Sequence, residues 1–147
     1  MSAGQTTYDG EPIAEEAPFG ATVVVWRRAG AAVELLVLHR AHEGPEYEGD
    51  WAWTPPAGAR KPREDLHGCA LRELKEETGL EIPIRRTPLA GDWPAYEGEV
   101  AADAAIVLDA EHDRFAWVDA GEALARCRPA IVGEQIRAAL GQIEAAR

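Results

Sequence analysis

The sequence predicts one α/β domain of layered type, with strands before and after a single central helix. Three observations lead to this class. Two β-branched runs precede residue 57, a segment with helical spacing ends at Gly79, and further strand-like and helical runs follow it. Strands on both sides of a helix, with helices at the end of the chain, are typical of α/β layers. At 147 residues the chain is long enough to bury a substantial core as one domain.

The composition narrows the classes of function. The formal net charge is −11, so neither a nucleic-acid duplex nor an anionic membrane is expected as a partner. No apolar run approaches the roughly 20 residues of a membrane span, and the start of the chain has no basic region followed by an apolar core. We therefore expect a cytoplasmic protein. Cys69 and Cys127 do not form a disulfide framework, and Cys69 is expected to fill a small core position.

The chain divides into a tail and a domain. Residues 1–17 are acidic, polar and interrupted by Gly and Pro, which predicts a flexible N-terminal tail, and residues 18–147 form the domain. Residues 21–26 and 33–39 are strand-like runs on either side of the turn Ala29-Gly30. This arrangement predicts a hairpin or two adjacent strands.

Shorter elements make up the rest of the domain. A loop rich in Gly, Pro and acidic residues at 40–50 precedes a short strand at 51–56 that its prolines end. Alternation places Trp51 and Trp53 on one face of this strand, either as core or as a surface for a base. The other predicted elements are a strand at 82–86, a broken segment at 89–96, strands at 100–108 and 115–118, a helix capped by Asp119 through 125, and a helix at 133–146.

The stretch from Gly58 to Leu80 carries the strongest chemical signal. A loop at 57–63 leads into a helix of about 14 residues that Gly79 ends as a left-handed cap. Three glutamates stand at i, i+3 and i+4 on one face of this helix, while Leu66, Ala70 and Leu74 form a separate apolar face. Each like-charged pair costs roughly 0.2–0.5 kcal/mol. Hard oxygen ligands suit Mg²⁺ or Mn²⁺, although a solvated acidic face remains the alternative.

The spacing of this stretch resembles the Nudix hydrolase signature, G-x5-E-x7-R-E-U-x-E-E-x-G-U, in which U is an apolar aliphatic residue. All nine specified positions match: Gly58, Glu64, Arg72, Glu73, Leu74, Glu76, Glu77, Gly79 and Leu80. The resemblance implies a Nudix-like α/β/α sandwich with a mixed central β-sheet. It also implies a hydrolase that cleaves a phosphoanhydride bond in a nucleoside diphosphate linked to another group.

The resemblance further implies a metal site on the central helix. Glu73, Glu76 and Glu77 would bind Mg²⁺, with Mn²⁺ as an alternative, and the carbonyl of Gly58 would be a further ligand. Carboxylate-bound divalent ions supply the charge neutralisation and the activated water that phosphoanhydride hydrolysis requires.

Other catalytic roles follow from the same resemblance. Arg72 would orient the carboxylates through charge-assisted hydrogen bonds, and Glu64 would serve as an auxiliary acid beside it. The general base would be Glu76, Glu77 or a carboxylate from a later loop. Glu111 is the favoured loop carboxylate because it precedes a Phe-x-Trp-Val run, and a solvated surface role is its alternative.

Substrate contacts are predicted at four further residues. Arg40 follows the second strand, where the family often contacts phosphate, with a surface ion pair as the alternative. Arg60 belongs to a small positive patch in the signature loop. Tyr96 lies 16 residues past Leu80, a distance that accompanies dinucleoside polyphosphate hydrolases, and the neighbouring Trp93 offers a second aromatic surface for adenine.

Several alternatives stay open at this point. Pro94 lies 15 residues beyond Gly79, as in ADP-ribose pyrophosphatases. Because the Tyr96 distance is the closer match, a dinucleoside polyphosphate is the favoured substrate, with ADP-ribose second and nucleoside triphosphates third. A non-catalytic nucleotide-sensing module is the alternative of another class, and pairing of two chains as a homodimer is left open. The four histidines show no spacing typical of metal ligands.

Overall fold

The computed structural model describes residues 5–7 and 10–146, which form seven strands and three helices. The strands are β1 (Gly20–Ala29), β2 (Ala32–Arg40), β3 (Trp53–Thr54), β4 (Ala57–Ala59), β5 (Arg85–Arg86), β6 (Ala95–Glu99) and β7 (His112–Val118). The helices are α1 (Leu66–Thr78), α2 (Ala120–Arg126) and α3 (Ala130–Ala145). None of the helices in this described part is long and apolar enough to cross a membrane.

The strands form one mixed sheet. Its main order is β3-β2-β1-β6-β5, with β4 paired to β1 and β7 paired to β2. β1 and β6 are parallel, and the other strand pairs are antiparallel. β1 and β2 form the predicted hairpin, with Trp26 opposite Leu35.

Both faces of the sheet are buried, which explains why β1 and β2 read as continuous apolar runs. Side chains alternate between the faces along β1: Val24 and Trp26 join a core with α2 and α3, while Val23 and Val25 join a core with α1. The chain is therefore an α/β/α sandwich around a mixed sheet, and the predicted fold class is confirmed.

The central helix ends at the predicted residue, and the structure also shows how it begins. The side chain of Asp65 accepts a hydrogen bond from the Gly68 N–H and caps the N-terminus. Gly79 closes the C-terminus in the left-handed conformation, with φ of 75°. Cys69, Ala70 and Leu74 are buried against the sheet, so the glutamates on the adjoining face point towards β4 and the loop before β7.

Three predicted elements differ in the structure. Residues 57–59 are not a loop but strand β4, because they pair with the start of β1. Residues 100–108 are not a strand, because β6 already fills the position beside β1; instead, the segment crosses the end of α1, where the Val107 N–H bonds to the Thr78 carbonyl. Trp51 and Trp53 do not share a face: Trp51 is exposed with φ of 68°, and Trp53 is buried.

Part of the predicted tail contacts the domain. Residues 1–4, 8 and 9 lie outside the described residues. Within the rest, Ala14 is buried and its N–H bonds to the Arg60 carbonyl at 2.8 Å. The Arg60 guanidinium in turn donates to the carbonyls of Glu16 and Pro18. These contacts fix the position of residues 14–18 against the signature loop.

Candidate active site

Gly58 allows the central helix to approach the sheet at the site. It lies in β4 opposite Ala21 of β1, and a Cβ atom at this position would overlap the carboxylate of Glu73. Only glycine leaves room for that carboxylate beside the backbone. The acidic face of α1 therefore lies directly against the backbone of β4.

Arg72 links the acidic side chains on this face. Its guanidinium donates to both carboxylate oxygens of Glu64, at 2.7 and 2.8 Å. It also donates to Glu73 at 2.8 Å, to Glu76 at 3.3 Å and to the Ala59 carbonyl at 3.1 Å. The hydrogen bonds from Arg72 hold the pKa of Glu64 below its ordinary value. The structure thus places Arg72 and Glu64 together, as the sequence predicts, with the ordering contacts expected of Arg72.

Glu77 is the most buried of the three glutamates. Its side chain is 2% exposed, and one oxygen accepts a hydrogen bond from the Ala57 N–H at 3.3 Å. The other oxygen, Oε2, is buried without a hydrogen-bond partner among the described residues. Burial raises the pKa of Glu77 well above its ordinary value, and the neighbouring Glu73 carboxylate and the charge of Asp109 raise it further. Ionised Glu77 thus lacks a compensating positive charge.

Asp109 and His112 complete the surroundings of Glu77, and sequence reasoning missed both. Asp109 Oδ1 lies 2.8 Å from His112 Nδ1, and His112 Nε2 lies 3.7 Å from Glu77 Oε1. The D-x-x-H spacing of this pair is too common to indicate a site by itself. The contact with Glu77 forms because β7 pairs with β2 and brings the loop at 109–111 to the acidic face of α1.

Glu111 and Arg40 lie beside this group. Glu111 is exposed in the loop before β7, and its carbonyl accepts the Ala41 N–H at 2.8 Å. The loop is therefore where a loop carboxylate was predicted, but the carboxylate that influences Glu77 is Asp109. Arg40 is exposed and lies opposite His112 in the sheet. Its guanidinium has no ion-pair partner in the described part of the chain, which leaves it available to an anion.

The three other predicted substrate residues lie apart from the carboxylates. Tyr96 is 3% exposed and contributes to the core beneath α1, so its ring has no open face for a base. The Arg60 guanidinium is occupied by three backbone carbonyls and is also buried. Trp93 is partly exposed and its ring lies against Gly20, which pairs with Ala59. Alternation along β1 places Trp93 on the α3 side of the sheet.

The donor set fits a divalent cation. The buried oxygen of Glu77 without a partner, the carboxylate of Glu73 and the backbone of Gly58 present hard oxygen atoms close together. Within residues 5–7 and 10–146 no three acidic, histidine or cysteine side chains are already arranged around a common point. Instead, Arg72 forms ion pairs with Glu73 and Glu76, and the Glu76 side chain is 53% exposed.

The sequence is similar to a known family and to known proteins. The family described as NUDIX domain matches residues 17–136. The chain is 30% identical over 135 residues to an octanoyltransferase of Myxococcus xanthus, covering 82% of this chain and 36% of that protein. It is 35% identical over 80 residues to an RNA pyrophosphohydrolase of Dinoroseobacter shibae, covering 51% of this chain and 42% of that protein. The chain thus spans well under half the length of these curated relatives.

A solved structure has the same arrangement of elements. The Ap4A hydrolase of C. elegans, in a binary complex, superimposes with a TM-score of 0.70 at 23% sequence identity. The match covers 87% of this chain and 98% of that one. At this level of identity the similarity shows a common fold and no more.

Proposed function

The chain belongs to the NUDIX family, and we propose that it is a divalent-cation-dependent hydrolase that cleaves a phosphoanhydride bond in a nucleoside diphosphate linked to another group. One observation carries this proposal. Glu77 is buried with an oxygen that has no partner, beside Glu73 and the β4 backbone. A fold keeps such a costly carboxylate when a ligand compensates its charge.

Glu73, Glu76 and Glu77, with the carbonyl of Gly58, are the residues that would hold Mg²⁺ or Mn²⁺. A bound divalent ion would neutralise charge on the substrate phosphates and acidify a water molecule. Arg72 keeps two of these carboxylates oriented by hydrogen bonds, at 2.8 Å to Glu73 and 3.3 Å to Glu76.

Two further residues assist the phosphate chemistry in this proposal. Arg40 is exposed opposite His112 and would bind a substrate phosphate by charge-assisted hydrogen bonds. Glu76 reaches solvent from the acidic face, so it is better placed than Glu77 to accept a proton from the attacking water. Glu111, exposed in the adjoining loop, is the alternative base.

The favoured substrate is a dinucleoside polyphosphate, with ADP-ribose and nucleoside triphosphates as alternatives. Trp93 supports this order, because its partly exposed ring lies against Gly20 next to the strand that carries Gly58. Trp93 lies on the α3 side of the sheet, so an adenine ring stacked there requires a polyphosphate chain long enough to pass the start of β1 and reach the acidic face on the α1 side. Tyr96 and Arg60 are left out of the substrate site because both are buried and the Arg60 guanidinium donates to three backbone carbonyls.

Hydrolysis by the Glu77→Gln protein tests the proposal. We expect the rate to fall by about 10²–10⁴, because groups that supply acid–base chemistry or hold the metal usually contribute that much. Phosphate and nucleotide release would be measured with Mg²⁺ on diadenosine polyphosphate, ADP-ribose and nucleoside triphosphates.

Glu81→Gln is the matched control, since Glu81 is an exposed glutamate just beyond α1, paired with Lys75. This variant should keep the wild-type rate. A Glu77→Gln rate within about tenfold of wild type would contradict the proposed role. Binding of a nucleotide without turnover of any substrate would favour a nucleotide-sensing module instead.

A further inference from the structure

Asp109 determines which nitrogen of His112 carries a proton. The Asp109 carboxylate lies 2.8 Å from His112 Nδ1, and an ionised carboxylate can only accept a hydrogen bond. The proton of the neutral ring is therefore on Nδ1, and Nε2 presents a lone pair. A carboxylate that fixes a histidine in this way is the usual partner of a metal-binding imidazole.

The lone pair of Nε2 faces the acidic site. Nε2 lies 3.7 Å from Glu77 Oε1, too far for a hydrogen bond and with both side chains buried, at 4% and 2% exposure. Two metal–ligand bonds of about 2.1 Å span at most about 4.2 Å. One ion between the two atoms can therefore reach both. Glu77 Oε1 already accepts one hydrogen bond from the Ala57 N–H, and Glu77 Oε2 is buried without a partner among the described residues. Together with Nε2 these oxygens form an incomplete site for a cation.

We propose that His112 supplies a nitrogen ligand, through Nε2, to the divalent cation held by Glu77, with Asp109 as the residue that positions the ring. This inference rests on the proposed function, because it takes Glu77 to be a metal ligand. It adds a nitrogen ligand, a type of metal ligand that the glutamates of α1 do not provide. The nitrogen comes from the start of β7, on the opposite wall of the site.

A nitrogen ligand changes which metal the site prefers. Imidazole suits first-row transition metals, whereas Mg²⁺ binds oxygen atoms almost exclusively. A site built only from carboxylates has no nitrogen ligand with which to favour Mn²⁺ over Mg²⁺. With His112 as a ligand, the protein should bind Mn²⁺ more tightly than Mg²⁺, and His112 should be the source of the difference.

Electron spin echo envelope modulation of the Mn²⁺-loaded protein tests the inference directly. The ¹⁴N nucleus of a coordinated imidazole modulates the Mn²⁺ echo, and labelling the protein with ¹⁵N-histidine replaces that pattern. We expect the ¹⁴N modulation in the wild type, its loss in His112→Gln, and its retention in His42→Gln. His42 is the matched control because it is an exposed histidine in the loop after β2.

Binding calorimetry with each metal gives a second readout. His112→Gln should lose at least about tenfold in Mn²⁺ affinity, because disturbing the outer partner of a ligand alone costs 10–100-fold. Its Mg²⁺ affinity should stay within about threefold, since Mg²⁺ draws on oxygen atoms. Asp109→Asn keeps the imidazole but removes the group that orients it, so it should weaken Mn²⁺ binding in the same direction. It serves as the test variant if His112→Gln does not fold.

The outcomes separate the two proposals. Bound Mn²⁺ without nitrogen modulation in the wild type would overturn the role of His112 and leave a carboxylate site in place. Equal losses of Mn²⁺ and Mg²⁺ affinity in the variants would also overturn it. Failure of the wild type to bind either ion would overturn both this inference and the metal dependence of the proposed function.

Discussion

Glu77 is the residue whose position is hardest to explain by folding alone. Its carboxylate is buried, one oxygen has no hydrogen-bond partner, and the neighbouring Glu73 adds like charge. Burying an uncompensated polar or charged group costs several kcal/mol, and a group of similar shape without the charge would cost less. Protonation of the carboxylate relieves this cost, and a cation bound beside it would do the same.

This cost leads to a pH-dependent prediction for the metal-free protein. Because the pKa of Glu77 is raised above its ordinary value of 4.5, its contribution to stability is fully present below pH 4.5. That contribution is lost as the pH rises towards the raised folded pKa. The glutamine of Glu77→Gln stays neutral at every pH. In EDTA the free energy of unfolding of this variant, relative to that of wild type, should therefore increase by up to about 1.4 kcal/mol for each unit by which the pH rises.

Urea unfolding at a series of pH values between about pH 5 and pH 8 measures this difference, with the free energy of unfolding plotted against pH. Glu46→Gln, which changes an exposed loop glutamate, is the control and should show a difference independent of pH. If the difference between Glu77→Gln and wild type is also independent of pH, then ionisation of Glu77 does not destabilise the folded state, and the prediction is wrong.

Single residues also show where sequence reasoning ends. The three glutamates of α1 are predictable because helical spacing alone puts them on one face. His112 is not, because its contact with Glu77 depends on the pairing of β7 with β2 and on Asp109, which fixes its ring. Tyr96 was predicted as a base-stacking residue from its distance along the chain, but parallel pairing of β6 with β1 buries it.

Among the secondary-structure elements, two helices each contain a glycine that tests how helix conformation is encoded: Gly79 at the end of α1 and Gly141 inside α3. Gly79 ends α1 with φ of 75°, where a side chain adds strain. Gly79→Ala should therefore lower the free energy of unfolding by about 1–2 kcal/mol. Gly141 lies inside α3 and a Cβ there meets nothing within 4 Å. Gly141→Ala should raise the free energy of unfolding by up to about 1 kcal/mol.

The pair is informative because the same substitution has opposite expected signs. Chemical denaturation of the two variants beside the wild type measures both changes. Equal signs would show that backbone conformation does not dominate at one of the two positions, with Val107 near Gly79 as the first neighbour to examine.

The elements differ in how well their sequences predicted them. β1, β2 and α1 have local signals, namely β-branched runs, the cap at Asp65 and Gly79, and the structure contains all three. Residues 100–108 have an equally apolar composition but form no strand, because the place beside β1 is taken by β6. The choice between the two segments is a matter of pairing across the sheet, and no local pattern contains it.

At the scale of the whole molecule, charge opposes the proposed chemistry. The chain has a net charge of −11, whereas its substrate would be a polyanion. The positive groups near the site are local: Arg72 lies among the glutamates, and Arg40 lies opposite His112. A divalent cation in the proposed site would therefore do more than assist the reaction, because it would also reverse the local charge that a phosphate group meets.

The same electrostatics predicts that the whole fold is stabilised by metal. An ion that binds only the folded state adds about 2.7 kcal/mol at a concentration of 100 times its Kd. For a chain of this size each kcal/mol raises the Tm by about 2–4 °C, so saturating Mg²⁺ should raise it by about 5–10 °C. Calorimetry at matched ionic strength measures the shift and removes the general screening of a net charge of −11.

The double variant Glu73→Gln with Glu77→Gln should lose most of the shift, since it lacks two of the proposed ligands. An equal shift in that variant would mean that Mg²⁺ stabilises the protein through other acidic groups, and no shift in the wild type would contradict a cation site in the folded state.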